Sequence, residues 1–193
     1  MRRFNSLVGC LLLLALSGCI RSLKPFFTEK DIAYDEKLAG TWSVDGNGKE
    51  LWTFKSAHNE SYNVMVSREG KEVAEFKIHL FKIQDRLFLD FSGVQPDAMQ
   101  DWDGFLAYHF ITVHTCASFQ WQGDDFRIAL LDVEHVVEDL HKHPDVLKHH
   151  QLDQDPINTL LIEDTEKIQA YIMTHIDRGL VKEKAYTLFS KQK

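Results

Sequence analysis

From about residue 40 to residue 131, apolar and polar positions alternate along the chain. Trp52 and Phe54 share one face, with Thr53 and Lys55 opposite. Tyr62, Val64 and Val66 alternate with Asn63, Met65 and Ser67. Ala74, Phe76, Ile78 and Leu80 alternate with Glu75, Lys77 and His79, and this is the most regular run. Leu87, Leu89 and Phe91 continue the pattern, then Phe119 and Trp121, then Phe126, Ile128 and Leu130. Successive side chains of a strand point to opposite faces, so each run predicts a strand with one dry and one wet face. The breaks are short and turn-like: Asp45-Gly46-Asn47-Gly48, Glu69-Gly70, Gln84-Asp85 and Gly123-Asp124-Asp125. Such turns join neighbours antiparallel, which predicts a β-meander. Phe105 to His114 is apolar on both faces and reads as a central or doubly covered strand.

After residue 131 the period changes. Val133, Val136, Val137 and Leu140 fall at i, i+3, i+4 and i+7, with Asp132 placed as an N-cap and Pro144 beyond the end. A second helix carries Ile168, Tyr171, Ile172 and Ile176, with Asp164 before it and Gly179 as its stop. Thr159 to Ile162 and Tyr186 to Phe189 read as strands. The expected fold class is α+β: an antiparallel meander of six to nine strands, curled into a barrel or half-barrel, with two C-terminal helices.

The first eighteen residues follow a different logic. Arg2 and Arg3 precede an apolar run from Leu7 to Leu16, and Leu16-Ser17-Gly18-Cys19 closes it. A positive start, a short apolar core and a small-residue cleavage zone make a secretory signal. The run is too short to span a bilayer, which takes about 20 apolar residues. Arg21, Ser22 and Lys24 follow at once. The expected organisation is a cleaved signal peptide over 1–18, a flexible tether over 19–36 broken by Pro25, and one globular domain over 37–193. Phe26-Phe27 is the part of the tether able to pack locally.

Leu16-Ser17-Gly18-Cys19 resembles the lipobox of bacterial lipoproteins. The resemblance implies a diacylglyceryl group on the Cys19 sulfur, cleavage before Cys19 and, in many species, a further acyl chain on its new amino group. Two or more acyl chains anchor a protein stably, where one binds marginally. Ile20 stands where enteric lipoproteins kept at the inner membrane carry Asp, so the expected location is the outer membrane if the host has one. Pro25-Phe26-Phe27-Thr28-Glu29-Lys30-Asp31 followed by Leu38-Ala39-Gly40-Thr41-Trp42 resembles the opening of a group of bacterial lipoproteins without an assigned activity. Gly40-Thr41-Trp42 is also similar to the G-x-W opening of lipocalins, in which the Trp closes the base of a barrel. No T-D-Y-like motif follows, and two C-terminal helices depart from that family.

Charge and cysteine usage narrow the function. Removing Arg2 and Arg3 with the leader leaves 20 basic against 29 acidic residues, a net charge of −9. This balance, with no basic run, argues against nucleic acid as a partner and against electrostatic docking to anionic headgroups. Cys10 leaves with the leader, so only Cys19 and Cys116 remain. With Cys19 lipidated, no disulfide framework forms and Cys116 reads as a small buried apolar residue.

Ten histidines raise the question of a metal. His141 and His143 are two apart, and His149 and His150 are adjacent; neither spacing brings ligands together on a helix face. His109 and His114 fall on opposite faces of a regular strand. Asp97, Asp101 and Asp103-Gly104 miss the calcium-loop spacing. No metal and no cofactor is expected, and no nucleophile, phosphate or dinucleotide motif is present. The function these features favour is a membrane-anchored envelope lipoprotein that binds a small apolar ligand or another envelope protein. A hollow barrel would line its ligand with Trp52, Phe54, Phe76 and Leu89. A filled barrel would present its surface to a protein instead. The alternative is an envelope enzyme, hydrolase-like, that gathers His79, His109, His114 and nearby acids in a cleft.

Overall fold

The alternating runs pair with one another in register. The computed structural model describes residues 19–94 and 111–192. Within them run β1 (Arg21–Ser22), β2 (Gly40–Val44), β3 (Glu50–Ala57), β4 (Ser61–Arg68), β5 (Lys71–Ile83), β6 (Arg86–Gly93), β7 (His114–Gln122) and β8 (Asp125–Leu130). They are followed by α1 (Val133–Lys142), β9 (His149–Gln151), β10 (Thr159–Leu161), α2 (Thr165–His175) and β11 (Thr187–Lys191). Strands β2 to β8 form the expected antiparallel meander, and β11 inserts between β8 and β2. Pairing of β6 with β7 closes the ring, so eight strands make a closed antiparallel barrel.

Both helices stand where the periodicity puts them. The Asp132 carboxylate accepts the backbone N–H groups of Glu134 and His135, two of the donors a helix start leaves free. Helix α2 begins after Asp164 and runs through a 3-10 turn to Gly179, which is left-handed at φ 103°. The apolar faces of the helices cover one wall of the barrel from outside. Leu80, Leu89 and Ala117 point into the barrel. Phe81, Phe88 and Cys116 point outward into a second core with Val133, Val136, Leu140, Ile168 and Ile172. That wall is therefore dry on both faces, which is why Phe81 and Phe88 occupy positions the alternation marks as wet.

The segment 19–36 is not a free tether. Ile20 and Phe26 are fully buried in the second core. β1 pairs antiparallel with β7 and parallel with β10, and β10 pairs with β9. Pro25 and the local charges suggested a stalk, but Ile20 and Phe26 bury enough apolar surface against the helices to dock it. A second departure is β9, a strand across His149–Gln151 that periodicity did not reveal because both faces are polar. A third is Leu130, 37% exposed as the last residue of β8. The expected strand over 105–114 lies outside the described residues except for Ile111 to His114. Of these, His114 opens β7.

Candidate functional site

Three places gather the candidate side chains, and the first is the barrel interior. The end carrying the β3–β4, β5–β6 and β7–β8 turns is capped by residues 34–38. Trp42 is fully buried there, and its indole N–H donates to the Leu38 carbonyl at 2.8 Å. Lys191, on the last strand, lies 5.1 Å over the Trp42 ring. Gly40 permits that approach: its φ is 134°, and a Cβ on it would lie 3.1 Å from the Lys191 side chain. Tyr62 donates its hydroxyl to the Asp35 carbonyl at 2.8 Å and accepts the Asp35 N–H at 2.9 Å. Burial pushes the Tyr62 phenol up to about 12.

Aromatic rings occupy the volume beneath this cap. Phe126 has ring centroids of Trp42, Phe119, Phe189, Trp121 and Phe54 at 4.7, 5.1, 4.8, 5.9 and 6.0 Å. Those separations are direct ring contacts. Of the four residues expected to line a ligand, Phe54 and Leu89 are buried in this packing. Trp52 and Phe76 are half-buried, with centroids 6.5 Å apart, and both rings pack on Phe91. The Trp52 N–H is held by the Glu50 carboxylate at 2.9 Å. A recess of about 320 Å³ opens at the capped end, between the β5–β6 turn and β7, lined by Asp85, Arg86, Leu87 and residues 118–121, and so reaches Phe119 and Trp121 of the same ring packing. Leu89, Phe54, Trp52 and Phe76 do not line it.

The second place is the outer face of the doubly covered wall. His79, Asp90 and Cys116 sit side by side on β5, β6 and β7, and His114 lies two residues before Cys116 on the same face. Asp90 is fully buried. One carboxylate oxygen accepts the Phe26 N–H at 3.0 Å, and the other lies 2.8 Å from His114 Nδ1. His79 packs against Phe27 with ring centroids 4.3 Å apart and planes tilted by 33°, and its Nδ1 is buried without a hydrogen-bond partner. Burial, then Lys77, pushes the His79 imidazole below its ordinary value, against the pull of Asp90. Burial pushes the Cys116 thiol well up, and Asp90 adds to it, so the thiolate a nucleophile needs is suppressed.

The structure thus brings together two of the three histidines expected of a catalytic cleft, and adds an acid the sequence did not single out. It roofs them with Phe26 and Phe27. His109, Asp97, Asp101 and Asp103 lie outside the described residues. Among the described residues, no three His, Cys, Asp or Glu side chains are arranged to hold a metal ion. One further pair stands between the helices: His135 Nε2 lies 3.1 Å from His175 Nδ1, and Tyr171 stacks on His175 at 4.2 Å.

The third place is Cys19, half-buried one residue before buried Ile20. Leu16, Ser17 and Gly18 of the expected cleavage motif lie outside the described residues. Among the described residues no helix is long and apolar enough to cross a membrane. No family model, curated protein sequence or solved structure is significantly similar to this chain.

Proposed function

We propose that the protein is a lipoprotein of the bacterial cell envelope, lipidated on Cys19, whose filled barrel serves as an interaction module for another envelope protein. Of the two occupants the sequence left open, a small apolar ligand and a protein partner, the packing favours the second. The observation that carries this is Phe126, which touches five other rings beneath the cap of the barrel. A carrier keeps that volume free for its cargo. The outer face supports the same reading: a His–Asp pair roofed by Phe26 is built to hold the N-terminal segment down. The lipobox supports the anchor, and Ile20 after Cys19 favours the periplasmic face of an outer membrane.

Native mass spectrometry of the full chain, extracted from membranes in detergent, tests both parts. The expected spectrum carries a diacylglyceryl and acyl mass on Cys19 and no further molecule. An extra retained apolar mass would overturn the filled-barrel reading. A bare Cys19 would overturn the anchor.

A further inference from the structure

An anchored protein on a flexible stalk can turn freely above its membrane. Residues 19–36, if extended, would lift a domain by up to about 60 Å at about 3.4 Å per residue. That freedom is absent here. Ile20 is buried, Arg21 is paired on both sides with Thr115 and Leu160, and Asp90 holds the Phe26 N–H. Only about two residues, or about 7 Å of chain, separate the Cys19 sulfur from a fixed strand. Any lipid on that sulfur therefore fixes which part of the domain meets the bilayer.

The part nearest Cys19 is the outer face of the small β1–β10–β9 sheet. Paired residues of neighbouring strands project to the same side. Ser22 and Leu161 point inward and are buried; Arg21, Leu160 and His150 therefore point outward. The same face continues through Leu23, Ile162 and Leu152, whose N–H groups bond across the sheet to Leu161, Lys148 and Asn158. Leu23, Ile162 and Leu152 are 38, 41 and 49% exposed, three large apolar side chains on one short sheet. Arg21 reaches along this face to the Asn158 side chain at 2.9 Å. Its charges do not sum to a positive field: Lys24 pairs with Asp164, Lys148 lies near Glu163, and Asp153 and Asp155 follow Leu152 on the side of Arg21.

We infer that the lipidated protein lies directly on the bilayer through this face, with Leu23, Leu152 and Ile162 at the lipid surface. The inference rests on the proposed lipidation of Cys19. Because the face has no net positive field, contact comes from the acyl chains and the apolar side chains. It is therefore expected to be indifferent to the anionic lipid fraction.

The test uses the full lipidated chain in phosphatidylethanolamine–phosphatidylglycerol vesicles. An environment-sensitive fluorophore is placed at Leu152→Cys, Ile162→Cys or, as the control, Lys55→Cys. Lys55 is exposed on β3, four strands around the ring from β7 in either direction. Cys116, fully buried, stays in place. Lipids carrying a quencher near the headgroup should quench labels at 152 and 162 severalfold more than at 55, equally with and without phosphatidylglycerol. Equal quenching at all three sites, with the lipid mass present on Cys19, would overturn the orientation and leave the anchor standing. Absence of that mass would overturn the reading beneath it. Circular dichroism of each labelled variant identifies any that has not folded, and Leu23→Cys then takes its place.

Discussion

Asp90 accepts the backbone N–H of Phe26 at 3.0 Å, from the middle of β6 to a segment sixty-four residues earlier in the chain. The carboxylate is fully buried, and its other oxygen is held by His114. Both oxygens of this buried carboxyl group are thus engaged, and its loss leaves a buried donor with nothing to bond. Asp90→Ala is expected to destabilise the fold by about 3 kcal/mol in urea unfolding. It should also open the segment around Lys24 and Lys30 to trypsin under native conditions. Asp90→Asn keeps an acceptor for the Phe26 N–H and should cost about 1 kcal/mol. Equal stability of the Ala variant and wild type would show that the carboxylate does not hold the segment.

The imidazole beside that carboxylate sets a pH dependence. Burial, with Lys77, holds His79 below its ordinary value in the folded state. The unfolded chain therefore takes up the proton first as pH falls. The neutral His79 contributes fully above about pH 6.5, and that contribution is lost as pH drops toward the depressed folded value. His175 is depressed in the same direction, by burial and then by the neighbouring His135 and Arg178 against the pull of Asp139. The urea midpoint should be lower at pH 5 than at pH 7. His79→Phe should flatten that slope, and an unchanged slope would mean His79 titrates normally.

The barrel was legible because its signal is local. Trp52 and Phe54, or Phe76 and Ile78, announce a dry face two residues at a time, and the turns between them are short. The helices were legible for the same reason. What escaped was the outer core. Asp90 and Phe88 lie on the face of β6 opposite Leu87, Leu89 and Phe91, a face that reads as wet when the strand is taken alone. A signal did exist: Phe81, Phe88 and Cys116 are too apolar for exposed positions. It says that something covers the wall without naming the cover. The docking of Ile20 and Phe26 depends on contacts with α2 nearly 150 residues away, and no pattern within residues 19–36 contains that information.

Cys116 offers a chemical check on the covered wall. Its sulfur is buried between the barrel and the helices, and burial with Asp90 nearby keeps it a thiol. A thiol reagent at pH 8 should leave the native protein unmodified at Cys116 and label it fully in denaturant. Labelling in native buffer at the unfolded rate would mean that the helices and N-terminal segment leave this wall open.

Phe126 decides whether the barrel is filled. Its ring touches Trp42, Phe54, Phe119, Trp121 and Phe189, so removing it should open a void enclosed by apolar rings. Phe126→Ala is expected to cost about 3–5 kcal/mol, as for other buried aromatics. An apolar void of that kind stays dry and accepts small apolar molecules. Wild type should therefore show no binding of a small fluorescent apolar probe, while the variant binds it and regains part of its lost stability with the probe present. Phe126→Leu leaves a smaller void and serves if the Ala variant does not fold. Probe binding to wild type as strong as to the variant would mean that a cavity already exists, and would return the barrel to the class of ligand carriers.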